Sequence, residues 1–159
     1  MEQAMQMEKD GELFYRELAE KATVIGFREI FNQLADDEVK HYQVFKTMRQ
    51  KQQGLFPETQ VLKKAANIFK QMIAREAMNN LDPSQLELYR KAMELERNSQ
   101  NYYLARAAEK ADDKEQSELF RKIAGEEERH YFLLHNIYEL VLRPQTWVEN
   151  GEFVHLEEY

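Results

Sequence analysis

The sequence predicts an all-α protein made of a few long helices. Three observations carry that reading. Five glycines and three prolines in 159 residues leave few places to turn. Apolar residues recur at steps of three and four over long stretches, the period of an amphipathic helix. No stretch alternates apolar and polar residues as a strand would, and β-branched residues are scarce.

Taken in order, residues 2–22 place Ala4, Met7, Gly11, Phe14, Leu18 and Ala22 on one stripe, which predicts the first helix. Residues 26–50 do the same with Phe27, Ile30, Phe31, Leu34, His41, Phe45 and Met48. Gln52 to Thr59, with Gly54 and Pro57, interrupts the pattern, and Val61 to Asn79 is helical again. Asp82-Pro83-Ser84 is a start signal, Asp82 as candidate cap and Pro83 in the first turn, for a helix to Ala111. A last long helix is expected from Asp113 to about Leu142, before Pro144 and an aromatic tail. One bundle is therefore expected over 1–142, with a connecting segment at 51–83 and a tail at 143–159.

Charge narrows the function. Lys and Arg number 22 against 29 Asp and Glu, a formal net charge of -7. A surface this acidic repels phosphate backbones and anionic headgroups, so neither nucleic acid nor membrane is an expected partner. No apolar run approaches the roughly 20 residues of a membrane helix, and MEQAMQMEKD lacks a signal peptide's basic and apolar regions. A cytoplasmic location is expected. Without cysteine, disulfides, thiolate metal sites and thiol nucleophiles are excluded for these residues. Any metal must be held by Glu, Asp and the histidines His41, His130, His135 and His155.

The chain also matches itself. At an offset of 88, Ala4-Met5-Gln6-Met7-Glu8 falls on Ala92-Met93-Glu94-Leu95-Glu96, and Phe14-Tyr15 on Tyr102-Tyr103. At an offset of 89, the stretch from Phe31 through Glu38 and His41 to Tyr42 falls on Phe120 through Glu127 and His130 to Tyr131. A loop between the paired elements absorbs the one-residue change. This is a duplicated helix pair.

Each half supplies a Glu on its first helix and a Glu-x-x-His on its second. Residues three apart share a helix face, so Glu38 with His41, and Glu127 with His130, can bind one centre. These positions sit in the apolar stripes, and four buried carboxylates need compensating charge that two divalent cations supply. A Glu from each of two helices plus a Glu-x-x-His from each of the other two is the ligand plan of di-iron and di-manganese carboxylate bundles. Oxygen and imidazole donors suit iron or manganese, and zinc also binds such sets. A lone Glu-x-x-His is a weak signal, because with 23 Glu in the chain about one His in seven meets one by composition alone. Glu152-Phe-Val-His155 is a third match. Two motifs and two partner Glu at equivalent repeat positions make the signal specific.

At Met7-Glu8-Lys-Asp-Gly-Glu-Leu-Phe14-Tyr15, Asp37-Glu38-Val-Lys-His41-Tyr42, Leu95-Glu96-Arg-Asn-Ser-Gln-Asn-Tyr102-Tyr103 and Glu127-Glu-Arg-His130-Tyr131, the chain resembles the rubrerythrin family of ferritin-like di-iron proteins. The resemblance covers about residues 1–142. It implies a ferritin-like four-helix bundle with a long crossover between the second and third helices and internal two-fold pseudo-symmetry. It implies Glu8 and Glu96 as terminal ligands, Glu38 and Glu127 as bridging carboxylates, and His41 and His130 as one imidazole for each of two irons, cycling between Fe2+ and Fe3+. Family members reduce hydrogen peroxide, a defence against oxidative stress, often with electrons from a rubredoxin domain. That domain's four cysteines are missing here, so an external electron donor such as a separate rubredoxin is expected.

A second departure is that the family's extra carboxylate, one turn past the third-helix Glu, is Ser99 here, matched by Gly11 in the first half. The small residues either leave room beside the irons for dioxygen or peroxide or permit close helix packing. Tyr15 and Tyr103, two turns past Glu8 and Glu96, are candidates to hydrogen-bond the ligand carboxylates or to donate an electron, the alternative being core tyrosines with satisfied hydroxyls. Glu12, one turn after Glu8, reads as solvated surface, the alternative being an extra ligand; Glu94 points away from Glu96, and His135 lies off the ligand face. Trp147, Phe153, His155, Leu156 and Tyr159 make the tail too apolar for a free end, so it packs on the bundle or on a partner subunit. The expected function is a di-iron oxidoreductase, a homodimer, reducing hydrogen peroxide or dioxygen. The alternative is a ferritin-like protein that oxidises iron for storage, which requires a closed shell of many subunits.

Overall fold

The computed structural model describes residues 1–51, 56, 58–75, 77–151 and 156. No strand occurs among them, as expected of an all-α chain. The expectations for Gly54, Pro57, Phe153, His155 and Tyr159 lie outside the described residues. The chain divides into two compact units, Met1–Asp82 and Pro83–Tyr159, and each holds one copy of the repeat. No helix among the described residues is long and apolar enough to cross a membrane.

In the first unit, α1 (Glu2–Lys21) and α2 (Ile25–Arg49) are joined by three residues. A connection that short forces antiparallel neighbours. The contacts Glu2–Arg49, Glu8–His41 and Arg16–Asn32 run in opposite order along the two helices. The end of α1 is closed by Arg28, whose guanidinium donates to the Ala22 carbonyl at 3.1 Å. The buried line of α1 is Ala4, Glu8, Gly11, Tyr15 and Leu18. It lies one residue round from the apolar stripe at Met7 and Phe14, which are only half-buried. Apolarity alone favours Met7 and Phe14, but the face turned inward is the one that carries Glu8 and Tyr15.

The connecting segment contains α3 (Val61–Ala74), whose buried residues include Val61, Ala65, Phe69 and Met72. Full burial of a side chain such as Phe69 is worth roughly 1.5–3 kcal/mol. The Thr59 hydroxyl accepts the Val61 N–H at 3.1 Å, holding one of the orphan donors at the helix start. Gly26 lets α3 approach α2, since a Cβ there would stand 2.7 Å from Met72 Sδ and 2.8 Å from Ile68 Cγ2. The helix ends at Ala74 instead of reaching Asn79, and a 3-10 turn follows at Ala77–Asn80. Two asparagines, weak helix formers, and the nearby proline favour the tighter turn.

The second unit opens with a 3-10 turn at Pro83–Gln85, and α4 (Leu86–Glu109) begins after it. Gln85 therefore occupies the N-cap, and Asp82, the expected cap, lies a turn upstream of it. Glu87 in the first turn takes two hydrogen bonds from Arg90, at 2.8 and 2.9 Å. That bonding holds its carboxyl below the ordinary value. Next, α5 (Lys114–Leu142) returns antiparallel, with Ser117 Oγ donating to the Ala107 carbonyl at 2.8 Å. Its N-cap is Asp113, which accepts the Gln116 N–H at 3.1 Å and the Gln116 side-chain amide at 2.7 Å. The tail begins as a short helix, α6 (Pro144–Glu149), with Pro144 in its first turn. It rests on α5 with Trp147 buried, and Leu156 beyond it is buried too.

The duplication extends to the packing. Buried residues Ala4, Glu8, Gly11, Tyr15 and Ala19 correspond to buried Ala92, Glu96, Ser99, Tyr103 and Ala107. On the second helices, Phe31, Leu34, Glu38, His41 and Phe45 correspond to Phe120, Ile123, Glu127, His130 and Leu134. Replacing Asp113 by Ala leaves the first turn of α5 without its side-chain acceptor and is expected to lower stability by about 1 kcal/mol. Urea unfolding followed by circular dichroism measures this, with an unchanged midpoint as the contrary result.

Candidate metal centre

In the first unit, Glu8 comes from α1, and Glu38 and His41 come from one face of α2, three residues apart. His41 Nδ1 lies 3.2 Å from Glu8 Oε2. Each of the three side chains offers a ligand atom, all within 4.8 Å of one another. Gly11, one turn after Glu8, makes space for this group. A Cβ at Gly11 would stand 2.8 Å from Glu38 Oε2, so the missing side chain houses the Glu38 carboxylate itself. The space is taken by a side chain of the neighbouring helix α2. The connecting segment adds Phe56, whose ring stacks parallel to His41 with centroids 6.3 Å apart.

The second unit repeats the arrangement. Glu96 from α4 meets Glu127 and His130 from α5, with ligand atoms again within 4.8 Å of one another. His130 Nδ1 lies 3.5 Å from Glu96 Oε1. All six side chains are at most 4 % exposed. Each triad unites residues that the repeat singled out within one half of the chain.

Tyr15 and Tyr103 are both fully buried. Tyr15 meets Phe14 edge-on at 6.2 Å, and Tyr103 stacks on Phe120 at 6.1 Å. Glu12 sits on the partly exposed flank of α1 beside Arg16, and Glu94 is mostly exposed beside Arg90. His135 is exposed and stacks on Tyr131, away from the triad. Two further buried acids were not singled out from the sequence. Asp37 and Glu126 precede Glu38 and Glu127 at equivalent repeat positions. Asp37 takes an ion pair from Lys40 at 2.5 Å and a hydrogen bond from the Thr59 hydroxyl. The acidic doublet present in both copies was the available signal.

Two carboxylates and an imidazole per unit form a donor set of hard oxygens and borderline nitrogen, fitted to a first-row divalent ion. Burial strengthens the case, because carboxylates removed from water need a positive partner. The space left by Gly11 lets one carboxylate turn toward the others without crowding. The residues therefore fit a metal.

A family model for rubrerythrin matches residues 1–138, which include α1 to α4 and nearly all of α5. No curated protein and no solved structure matches the chain. The match spans both Glu-x-x-His motifs and both partner glutamates, and the all-α fold is the ferritin-like one. The chain belongs to the rubrerythrin family of ferritin-like di-iron proteins.

Proposed function

We propose that the two triads share one centre holding two iron ions, and that the protein reduces hydrogen peroxide or dioxygen with electrons from a separate donor. The observation that carries this reading is the doubling. A buried Glu, Glu and His recur at equivalent positions in two copies of one helix pair. In this proposal Glu8 and Glu96 are terminal ligands, Glu38 and Glu127 are shared between the ions, and His41 and His130 serve one ion each. Residues 1–142 then act as one bundle. Manganese or zinc would suit the same donors, and family membership favours iron.

Held by these residues, two Fe(II) ions would supply the two electrons that peroxide reduction requires. The chain's own residues prepare the place. Four carboxylates balance the charge of two divalent ions, and the histidines bind as neutral imidazoles. Gly11 keeps space for Glu38, while the neighbouring Asp37 pairs with Lys40 and accepts a hydrogen bond from Thr59. The buried phenols of Tyr15 and Tyr103 are proposed to donate hydrogen bonds to ligand carboxylates, fixing their orientation. These 159 residues contain no cysteine, so they hold no thiolate iron site to deliver electrons.

The direct test adds hydrogen peroxide anaerobically to the Fe(II)-loaded protein. Oxidation well above the rate of free Fe(II) is expected, and a rate equal to it refutes the proposal. Glu38→Ala and Glu127→Ala each remove a shared carboxylate, so the metal content should fall from two ions per chain to one or fewer. Retention of two ions by either variant contradicts the bridging role. Gly11→Ala separates site from scaffold. It should raise helix stability by about 0.5–1 kcal/mol, yet displace the Glu38 carboxylate and weaken metal binding by about tenfold to a hundredfold. Thermal unfolding and a metal titration on the same sample measure the two effects.

A further inference from the structure

One contact outside the six proposed ligands recurs in both units. In the first, the Lys9 ammonium lies 4.9 Å from the centroid of the Tyr42 ring. In the second, the Arg97 guanidinium carbon lies 4.0 Å from the centroid of the Tyr131 ring. Lys9 follows Glu8 and Tyr42 follows His41, just as Arg97 follows Glu96 and Tyr131 follows His130. The copies differ in which basic residue they use, so what they share is a cation over a ring.

Helix geometry explains why these side chains meet. One residue step turns the side-chain direction by about 100°. Along antiparallel helices the two turns have opposite sense, so residues after a facing Glu and His swing toward each other across the groove. The cations are exposed and the rings half-buried. Each pair thus joins its two helices at the turns that carry a buried Glu and His. The second pair is braced, since Arg97 also donates to Gln100 Oε1 at 2.9 Å and Tyr131 stacks on His135. The first borders a depression of about 240 Å³ lined also by Glu2, Met5, Gln6 and Arg49.

We propose that Lys9–Tyr42 and Arg97–Tyr131 are clasps, positioning residues that hold the Glu- and His-bearing turns of each helix pair together and slow the escape of bound metal. The inference rests on reading the six buried residues as metal ligands, and it adds which outer residues set how long the metal stays. The cation–ring contact distinguishes a clasp from ordinary packing. A methionine keeps the length and apolar stem of Lys or Arg but lacks the charge that the ring face attracts.

The test loads the full chain with Co(II), mixes it with excess chelator and follows loss of the cobalt absorption. Lys9→Met and Arg97→Met are expected to speed release about two- to fivefold, the size of a half-exposed cation–ring contact. Tyr42→Leu and Tyr131→Leu, which remove the ring and leave the cation, should reproduce that effect. Lys9→Arg, Arg97→Lys, Tyr42→Phe and Tyr131→Phe keep both partners and should release cobalt at the original rate. Thermal midpoints of the metal-free variants show whether each is folded. Folded Met and Leu variants that bind cobalt and release it no faster overturn the clasp alone. A chain that takes up no cobalt overturns the ligand reading on which the clasp rests.

Discussion

The withdrawal of Glu8, Glu38 and His41, and of Glu96, Glu127 and His130, from water is the constraint on which the rest of the structure turns. A buried carboxylate costs several kcal/mol without a positive or hydrogen-bonding partner. A fold that spends helix faces on such groups must hold them in fixed positions. The interior line of α1 accordingly runs through Glu8 and Tyr15 and leaves Met7 and Phe14 half-buried. The Glu38 carboxylate similarly occupies the place of a side chain that Gly11 lacks.

Support for these groups comes from segments of quite different kinds. Phe56, in the connecting segment, covers the ring of His41, and Thr59, a few residues on, bonds Asp37 while accepting the first N–H of α3. The same hydroxyl therefore serves a helix start and the neighbourhood of the candidate site. In the second unit the Asp113 cap of α5 and the Ser117 bond to α4 fix the far end of the helix pair, several turns from the candidate ligands. Duplication has kept the ligand-bearing faces while their surroundings diverged, as the exchange of Gly11 for Ser99 and of Asp37 for Glu126 illustrates.

Much of this was legible in the chain because helical periodicity and repeat offset are both local in sequence. Glu-x-x-His is a spacing, and a spacing of three means one face of a helix whatever the helix packs against. The burial of Asp37 and Glu126 was harder to read, since an acid beside another acid looks like solvated surface until tertiary packing covers it. The end of α3 at Ala74 and the 3-10 turn at Pro83 were likewise hidden. Turns of three and of four residues differ by small free energies that neighbouring packing decides.

By itself the sequence determined the all-α class, the paired repeat and the six residues proposed as ligands, because each depends on residue type and spacing along one helix. It also excluded cysteine chemistry from these residues. Tertiary structure decided which face of α1 is interior, that Gly11 gives its space to Glu38, that Phe56 and Thr59 return to α2, and that Lys9 and Arg97 lie over tyrosine rings. Those are contacts between residues many positions apart, and their free energy depends on how two surfaces meet, which no periodicity within one helix encodes.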